Sequence, residues 1–293
     1  MNASTSAAPA APVAVVTGAS SGIGKQLAKA LAARGWRIIG TGRDAGRMAA
    51  AEAEIRAAST GGGVELLRAD LSLMADTARL AQEIAARTDR LDLLANNAGY
   101  MPSERVVTSE GLEESFAANH LAPFLLTERL LPLLRRTAAG RPRGAVRVLM
   151  TASDAGEMIP GLNLDDMQSL ENFSPGLAYC SGKLANIMFA KALGERLEAD
   201  GIAVHAVHPG PVDSNFFSRG PADTLERVKT LEKFTEVEGA DTLIWLATDP
   251  AGGETTGGYW FQRQPRPRKT AEDAATLARF WEESARLVAG TGV

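Results

Sequence analysis

The chain predicts an α/β fold, a doubly wound parallel sheet of about seven strands with helices on both faces, and three observations carry that expectation. Short aliphatic runs alternate with longer stretches of helical periodicity, repeatedly in the order strand, helix, strand. A glycine-rich turn closes the first of these runs and opens the first helix. The composition is that of an ordinary globular protein, 293 residues with 45% hydrophobic and 23% charged, and no linker divides the middle. Residues 12–293 are therefore expected to form one domain, preceded by a flexible tail over 1–11 rich in Ala, Ser and Pro.

Taken in order, Val13 to Thr17 is the first strand, followed by a helix from Gly22 to about Arg34. Arg37 to Thr41 is the second, with Asp44 placed to cap a helix from about Ala45. Val64 to Ala69, a helix over Met74 to Arg87, and Leu91 to Ala95 continue the alternation. A long helical stretch from about Gly111 to Leu134 leads to a buried strand at Val146 to Met150. The helix holding Tyr179 and Lys183 follows, then Ile202 to Val207, and Gly258 to Gln262 closes the set. Two stretches, 156–176 and 211–238, break the rhythm just beyond strand ends, where open parallel sheets bind ligands, so they are expected as substrate loops or lids. The stretch 270–288 sets Leu277, Phe280, Trp281, Ser284 and Val288 on one side, as an amphipathic helix docking on the core would.

Bulk properties narrow the function classes. A net charge of −4 argues against a nucleic-acid binder, and the cluster Arg135, Arg136, Arg141, Arg143 and Arg147 is expected to be a solvated helix end and loop. With Cys180 as the single cysteine, no intrachain disulfide can form. No apolar run reaches the length of a membrane span and the first residues lack the pattern of a signal peptide, so a cytoplasmic protein without membrane attachment is expected. His205 and His208, three apart on a strand, would face opposite sides and cannot share a metal, and the three histidines are expected to be structural. Asp165 and Asp166 are expected to cap turns. No metal site is expected.

The turn Thr17-Gly18-Ala19-Ser20-Ser21-Gly22-Ile23-Gly24 sits at a strand-to-helix junction. Glycines there permit a tight turn and close backbone approach, so a pyrophosphate can meet free N–H groups and the positive end of a helix. At the end of the second strand, Thr41-Gly42-Arg43-Asp44 offers no carboxylate at Gly42 for a ribose 2′-hydroxyl and a planar cation at Arg43 for a 2′-phosphate. NADP(H) is favoured, with NAD(H) the alternative.

Tyr179 and Lys183 stand four apart in a helical stretch, hence on one face. A tyrosine with an ordinary pKa of about 10 is a poor acid or base at neutral pH, and an ammonium one turn away is expected to favour its ionised form. Such a pair also arises by chance, so its neighbours must carry the case. Ser153 closes the strand Val146 to Met150 at the ligand edge, in a context without the flanking glycines of a hydrolase nucleophile elbow. Phe216, Phe217 and Met158 are candidates for the wall of a fairly apolar substrate pocket, while Tyr259, Trp260 and Phe261 are expected to fill core.

Together, Thr17-Gly18-x-x-x-Gly22-x-Gly24, Asn96-Asn97-Ala98-Gly99, Ser153, Tyr179-x-x-x-Lys183 and Pro209-Gly210 resemble the short-chain dehydrogenase/reductase family in order and approximate spacing, from about Val13 to Phe261. The resemblance implies a Rossmann-type domain in which Tyr179 exchanges a proton with the substrate oxygen, Ser153 hydrogen-bonds that oxygen, Lys183 binds the nicotinamide ribose, and Asn119 holds a relay water. It further implies that Ser20, Ser21, Ile23, Asp70, Leu71, Asn97, Ala98, Gly99, Pro209, Gly210 and Val212 line the cofactor, that Asn96 braces the sheet, and that the substrate is a small alcohol or carbonyl compound. Family members pair through the long helices holding Asn119 and Tyr179, which implies a homodimer or homotetramer. Leu91 to Gly99, Leu121 to Thr127, Lys183-Leu184-Ala185-Asn186 and Gly257-Gly258-Tyr259-Trp260 look like the retinol dehydrogenase and WW-domain oxidoreductase branch. The alternative is a cofactor-binding sensor or scaffold with the same fold, which degenerate catalytic positions would mark; none is seen.

Overall fold

The computed structural model describes residues 11–214, 216, 220–268 and 272–293. Its sheet runs β3-β2-β1-β4-β5-β6-β7-β8, with β1 Val13–Val16, β2 Arg37–Gly42, β3 Val64–Arg68, β4 Leu93–Asn96, β5 Val146–Thr151, β6 Ile202–Val207, β7 Gly258–Phe261 and β8 Gln264–Pro265. All pairings are parallel but the last. The winding reverses direction between β1 and β4, the crevice position of doubly wound sheets. Register brings the carboxyl ends level: Val16 pairs with Ala95, Asn96 with Met150, and Thr151 with Val207. Residues following β1, β4, β5 and β6 thus meet along one edge.

The helices are α1 Gly22–Ala32, α2 Ala45–Ala58, α3 Met74–Arg87, α4 Glu114–Phe116, α5 Ala122–Ala138, α6 Pro175–Leu197, α7 Ala222–Lys229, α8 Glu236–Thr248 and α9 Ala274–Ala289. Two apolar layers sandwich the sheet, as its nearly unbroken β-branched and aliphatic strands require. Leu27 and Leu31 of α1 pack with Leu243 and Leu246 of α8 on one face. Ile84 of α3, Leu125 of α5 and Phe189 of α6 pack on the other. The amphipathic α9 docks there as its pattern predicts: Phe280 is fully buried, and the Trp281 ring meets Phe124 at 5.0 Å and Phe189 at 5.6 Å. Its start lies at Ala274, later than expected, and Thr270 falls outside the described residues. No helix among the described residues is long and apolar enough to cross a membrane.

Three expectations are corrected. About seven strands become eight, because after a turn with Gln262 and Arg263 at φ of 49° and 60° the chain hooks back as the two-residue β8, too short to show a period. The helix expected to run unbroken from about Gly111 is interrupted. Glu113 caps α4 by accepting from Ser115 N and Phe116 N, and Ala117–Leu121 then widens into a π-turn before α5. Wide turns of this kind favour functional positions, and this one holds Asn119. The arginine cluster is also less solvated than expected. Arg147 is buried and donates to the carbonyls of Gly144, Leu246 and Asp249, while Arg141 reaches the buried Asp92 at 2.5 Å.

Candidate active site

At the level carboxyl ends lies a cavity of about 680 Å³. Its first half is built by the glycine turn. Gly18 adopts φ +69°, a left-handed conformation suited to glycine, and its N–H reaches Thr41 Oγ1 at 3.3 Å. Thr17 ties this turn to β4: its Oγ1 accepts from Asn97 N at 2.9 Å and Ala98 N at 3.0 Å. Ser20, Ser21, Gly22, Ile23, Asn97, Ala98 and Gly99 line this half, with Asp70 and Leu71 beyond. Gly24 packs behind it, where a Cβ would sit 2.5 Å from Gly18 O. Arg43 opens on the cavity 3.6 Å from Asp70 Oδ2 and 3.8 Å from Glu114 Oε1, and the exposed Arg47 stands beside it.

The second half gathers the proton-handling groups. Tyr179 and Lys183 point from α6 into the cavity, with Ser153 opposite, just past β5. Lys183 is almost fully buried; its Nζ donates to Thr151 O at 3.3 Å and lies 5.7 Å from the centre of the Tyr179 ring. Ser153 Oγ accepts from Ala155 N at 3.2 Å and faces Asp154 Oδ1 at 3.3 Å. Asn119 does not line the cavity. Its Nδ2 donates to Tyr100 O and Ser115 O, and its buried Oδ1, without a partner, points at Gly99, where a Cβ would come within 2.3 Å. Pro209, Gly210, Val212, Met158 and Phe216 complete the wall; Met158 is a rim residue, 70% exposed, while the Phe216 ring lies 5.6 Å from that of Tyr179. Phe217 lies outside the described residues.

The family model for the short chain dehydrogenase matches residues 12–224. The chain is a short-chain dehydrogenase. It is 38% identical to retinol dehydrogenase 11 of Mus musculus over 293 aligned positions, spanning 94% of this chain and 86% of that one. It is 36% identical to DnrU of Streptomyces sp. (strain C5), named provisionally as a daunorubicin C-13 ketoreductase, over 94% of this chain and 92% of that one. Among solved structures, RhlG of Pseudomonas aeruginosa in complex with NADP superposes with a TM-score of 0.69 at 29% identity, covering 86% of this chain and 94% of that one. This short-chain dehydrogenase therefore belongs to a retinol dehydrogenase-like branch, binds a nicotinamide cofactor and interconverts alcohols and carbonyl compounds.

In this dehydrogenase the two central pKa values move apart from their ordinary values for one shared reason. Burial pushes the Tyr179 phenol up, with Cys180 and Asp154 adding to the rise and a hydrogen bond with Ser153 opposing it. Burial likewise pushes the Lys183 ammonium down to about 8. Lys183, turned to Thr151 O with its Nζ 5.7 Å from the centre of the Tyr179 ring, is not among the groups that lower the phenol in the protein by itself, where burial dominates. Three residues of the site were not foreseen. His208 follows β6 rather than belonging to it, so it faces the cavity beside Asp154 instead of packing inside the sheet. His120 and His205 are internal, held by Ser284 and by Trp260. Arg47 follows the cap Asp44 by three residues, a first-turn position that could have been read as facing the second-strand end. Asp154 stands next to Ser153 and carried no motif signal.

Proposed function

We propose that this short-chain dehydrogenase uses NADP(H) to interconvert an alcohol and an aldehyde or ketone on a fairly apolar small molecule, with Tyr179 exchanging the proton with the substrate oxygen. The observation that carries this reading is the convergence of Tyr179, Ser153 and Lys183 on the cavity whose other end is the glycine turn. The residues fit a dinucleotide: the turn's backbone can approach a pyrophosphate closely, and Arg43 and Arg47 supply planar cations where a 2′-phosphate would lie. When bound, the nicotinamide supplies or takes up the hydride.

This chain's own residues do the rest. In the reducing direction Tyr179, kept protonated by its burial, gives its proton to the carbonyl oxygen as negative charge builds there. Ser153 Oγ, turning its hydrogen from Asp154 Oδ1, donates to the same oxygen and stabilises the developing alkoxide. Lys183 holds its charge on the same face of α6 as the phenol and steadies the phenolate that Tyr179 becomes. Asn119 Oδ1, buried and unpartnered, suits a water that restores the proton. Tyr179, Met101, Ala155, Cys180 and Phe216 make an apolar wall, and Met158, Gly176, Pro211, Val212, Ser214, Phe216, Thr224 and Leu231 bring the expected substrate segments to the cavity of the one unit read over 12–293. Purified protein should oxidise NADPH with at least one member of a panel of aromatic and aliphatic ketones and aldehydes; no turnover with any member would overturn the reading.

A further inference from the structure

The reacting end of the cavity carries a single carboxylate among the described residues. Three acidic side chains line the cavity among the described residues: Asp44 and Asp70 stand at the adenosine end near Arg43 and Arg47, and Asp154 alone stands beside the catalytic serine. It lines the same cavity as Met101, Ala155, Cys180 and Phe216, which form an apolar cluster with Tyr179. Oδ1 is 3.3 Å from Ser153 Oγ, and Oδ2 is 3.6 Å from His208 Nε2. The Asp154 backbone N–H donates to His208 Nδ1 at 3.3 Å, which leaves the neutral ring's proton on Nε2, facing the carboxylate. The pair is therefore held in one orientation. The Asp154 side chain is still 53% exposed, so part of its acceptor capacity opens on the cavity.

We infer that Asp154 determines specificity, by selecting carbonyl substrates with a hydroxyl or ammonium donor on the carbon next to the reacting carbon. The inference rests on the reading of the site given above. A substrate oxygen held by Ser153 lies about 2.7–2.8 Å from its Oγ. A donor one carbon further along the substrate is then within range of Asp154 Oδ1 when it lies on the same side as that carboxylate, since Oδ1 is itself 3.3 Å from the same Oγ. Occupying Asp154 in this way also frees the Ser153 hydroxyl hydrogen to turn to the reacting oxygen. A ketone without such a donor strips water from the carboxylate and offers nothing in return. The chemical class is α-hydroxy and α-amino ketones, reduced to 1,2-diols and 1,2-amino alcohols.

The test is kcat/KM with NADPH for 2-hydroxyacetophenone and two donor-free analogues, propiophenone of the same shape and 2-methoxyacetophenone of similar inductive effect. The native protein is expected to favour the hydroxyketone by on the order of tenfold or more over both analogues, the worth of one charge-assisted hydrogen bond. In Asp154→Val that preference should collapse, the kcat/KM ratio of the hydroxyketone to propiophenone falling to within about threefold of unity. Asp154→Asn, which keeps the shape and an acceptor, should retain part of the preference and guards against a misfolded valine variant, as does an unchanged NADPH dissociation constant. Equal effects of Asp154→Val on all three ketones, or native turnover without the preference, would overturn the inference and leave the carbonyl reading intact. Absence of turnover with every ketone would overturn both.

Discussion

Replacing Arg43 by alanine tests the cofactor reading, and the structure sets its size. The guanidinium is 47% exposed and stands 3.6 Å from Asp70 and 3.8 Å from Glu114, neither a close ion pair, so it is available to a third group. A pair of unit charges at 4 Å is worth about 1 kcal/mol in water and about 4 kcal/mol at an effective dielectric of 20. A half-exposed site belongs toward the lower figure, but removal of Arg43 also takes away the cation beside Asp70, which lines the same end of the cavity. Arg47, 60% exposed and shared with Asp44, recovers some of the loss. The sum is about 2 kcal/mol, or roughly a 30-fold weaker NADPH complex, with NADH affinity changed by less than about twofold. Titration of nucleotide fluorescence at low salt and again at about 0.3 M salt reads both, and the NADPH loss should shrink at the higher salt. Equal weakening for both nucleotides, or unchanged NADPH affinity, would refute the assignment of Arg43.

Two further predictions concern protons. Asp92, at the far end of the sheet, is 1% exposed; burial raises its pKa, but Arg90, the Val13 N–H and Arg141 together outweigh burial and hold it below the ordinary range. The stability it lends is therefore present above the unfolded carboxyl pKa of about 4 and lost as pH falls through the folded value. Asp92→Asn should cost on the order of 3 kcal/mol and lower Tm by roughly 6–12 °C at neutral pH, with a flatter acid limb in thermal melts from pH 7 to pH 3; an unchanged Tm would contradict this. Kinetically, Lys183 is pushed down to about 8, so it loses its charge above that pH. Carbonyl reduction should hold a plateau near neutrality and decline above about pH 8, whereas a profile flat to pH 10 would show that the Lys183 charge is not needed.

Most of the fold was legible because its signals are local. Each buried strand is a short aliphatic run between turn residues, and the glycine turn marks where β1 becomes α1. Ser153, Tyr179 and Lys183 were legible as motif members, and α6 is tied to the end of β5 where Lys183 Nζ donates to Thr151 O. What escaped depends on contacts between distant segments. The π-turn at Asn119 follows the α4 turn capped by Glu113, and nothing in the helical period announces it. The direction of the Tyr179 shift depends on how completely α6 is covered, and a four-residue spacing does not report burial. His208 was misjudged because one residue decides whether it belongs to β6 or to the loop that faces the cavity. Asp154 has no periodicity to reveal it and acquires meaning only beside Ser153 and His208.

The central claim is that Tyr179 supplies the proton at a hydride-transfer site, and Tyr179→Phe tests it most directly because only the hydroxyl is lost from a ring packed against Phe216. Steady-state reduction of any accepted ketone should fall by roughly 10²- to 10⁴-fold, the range for removing a positioned general acid, while the NADPH dissociation constant stays within about twofold. A Tyr179→Phe protein that reduces the ketone at the native rate would contradict the account.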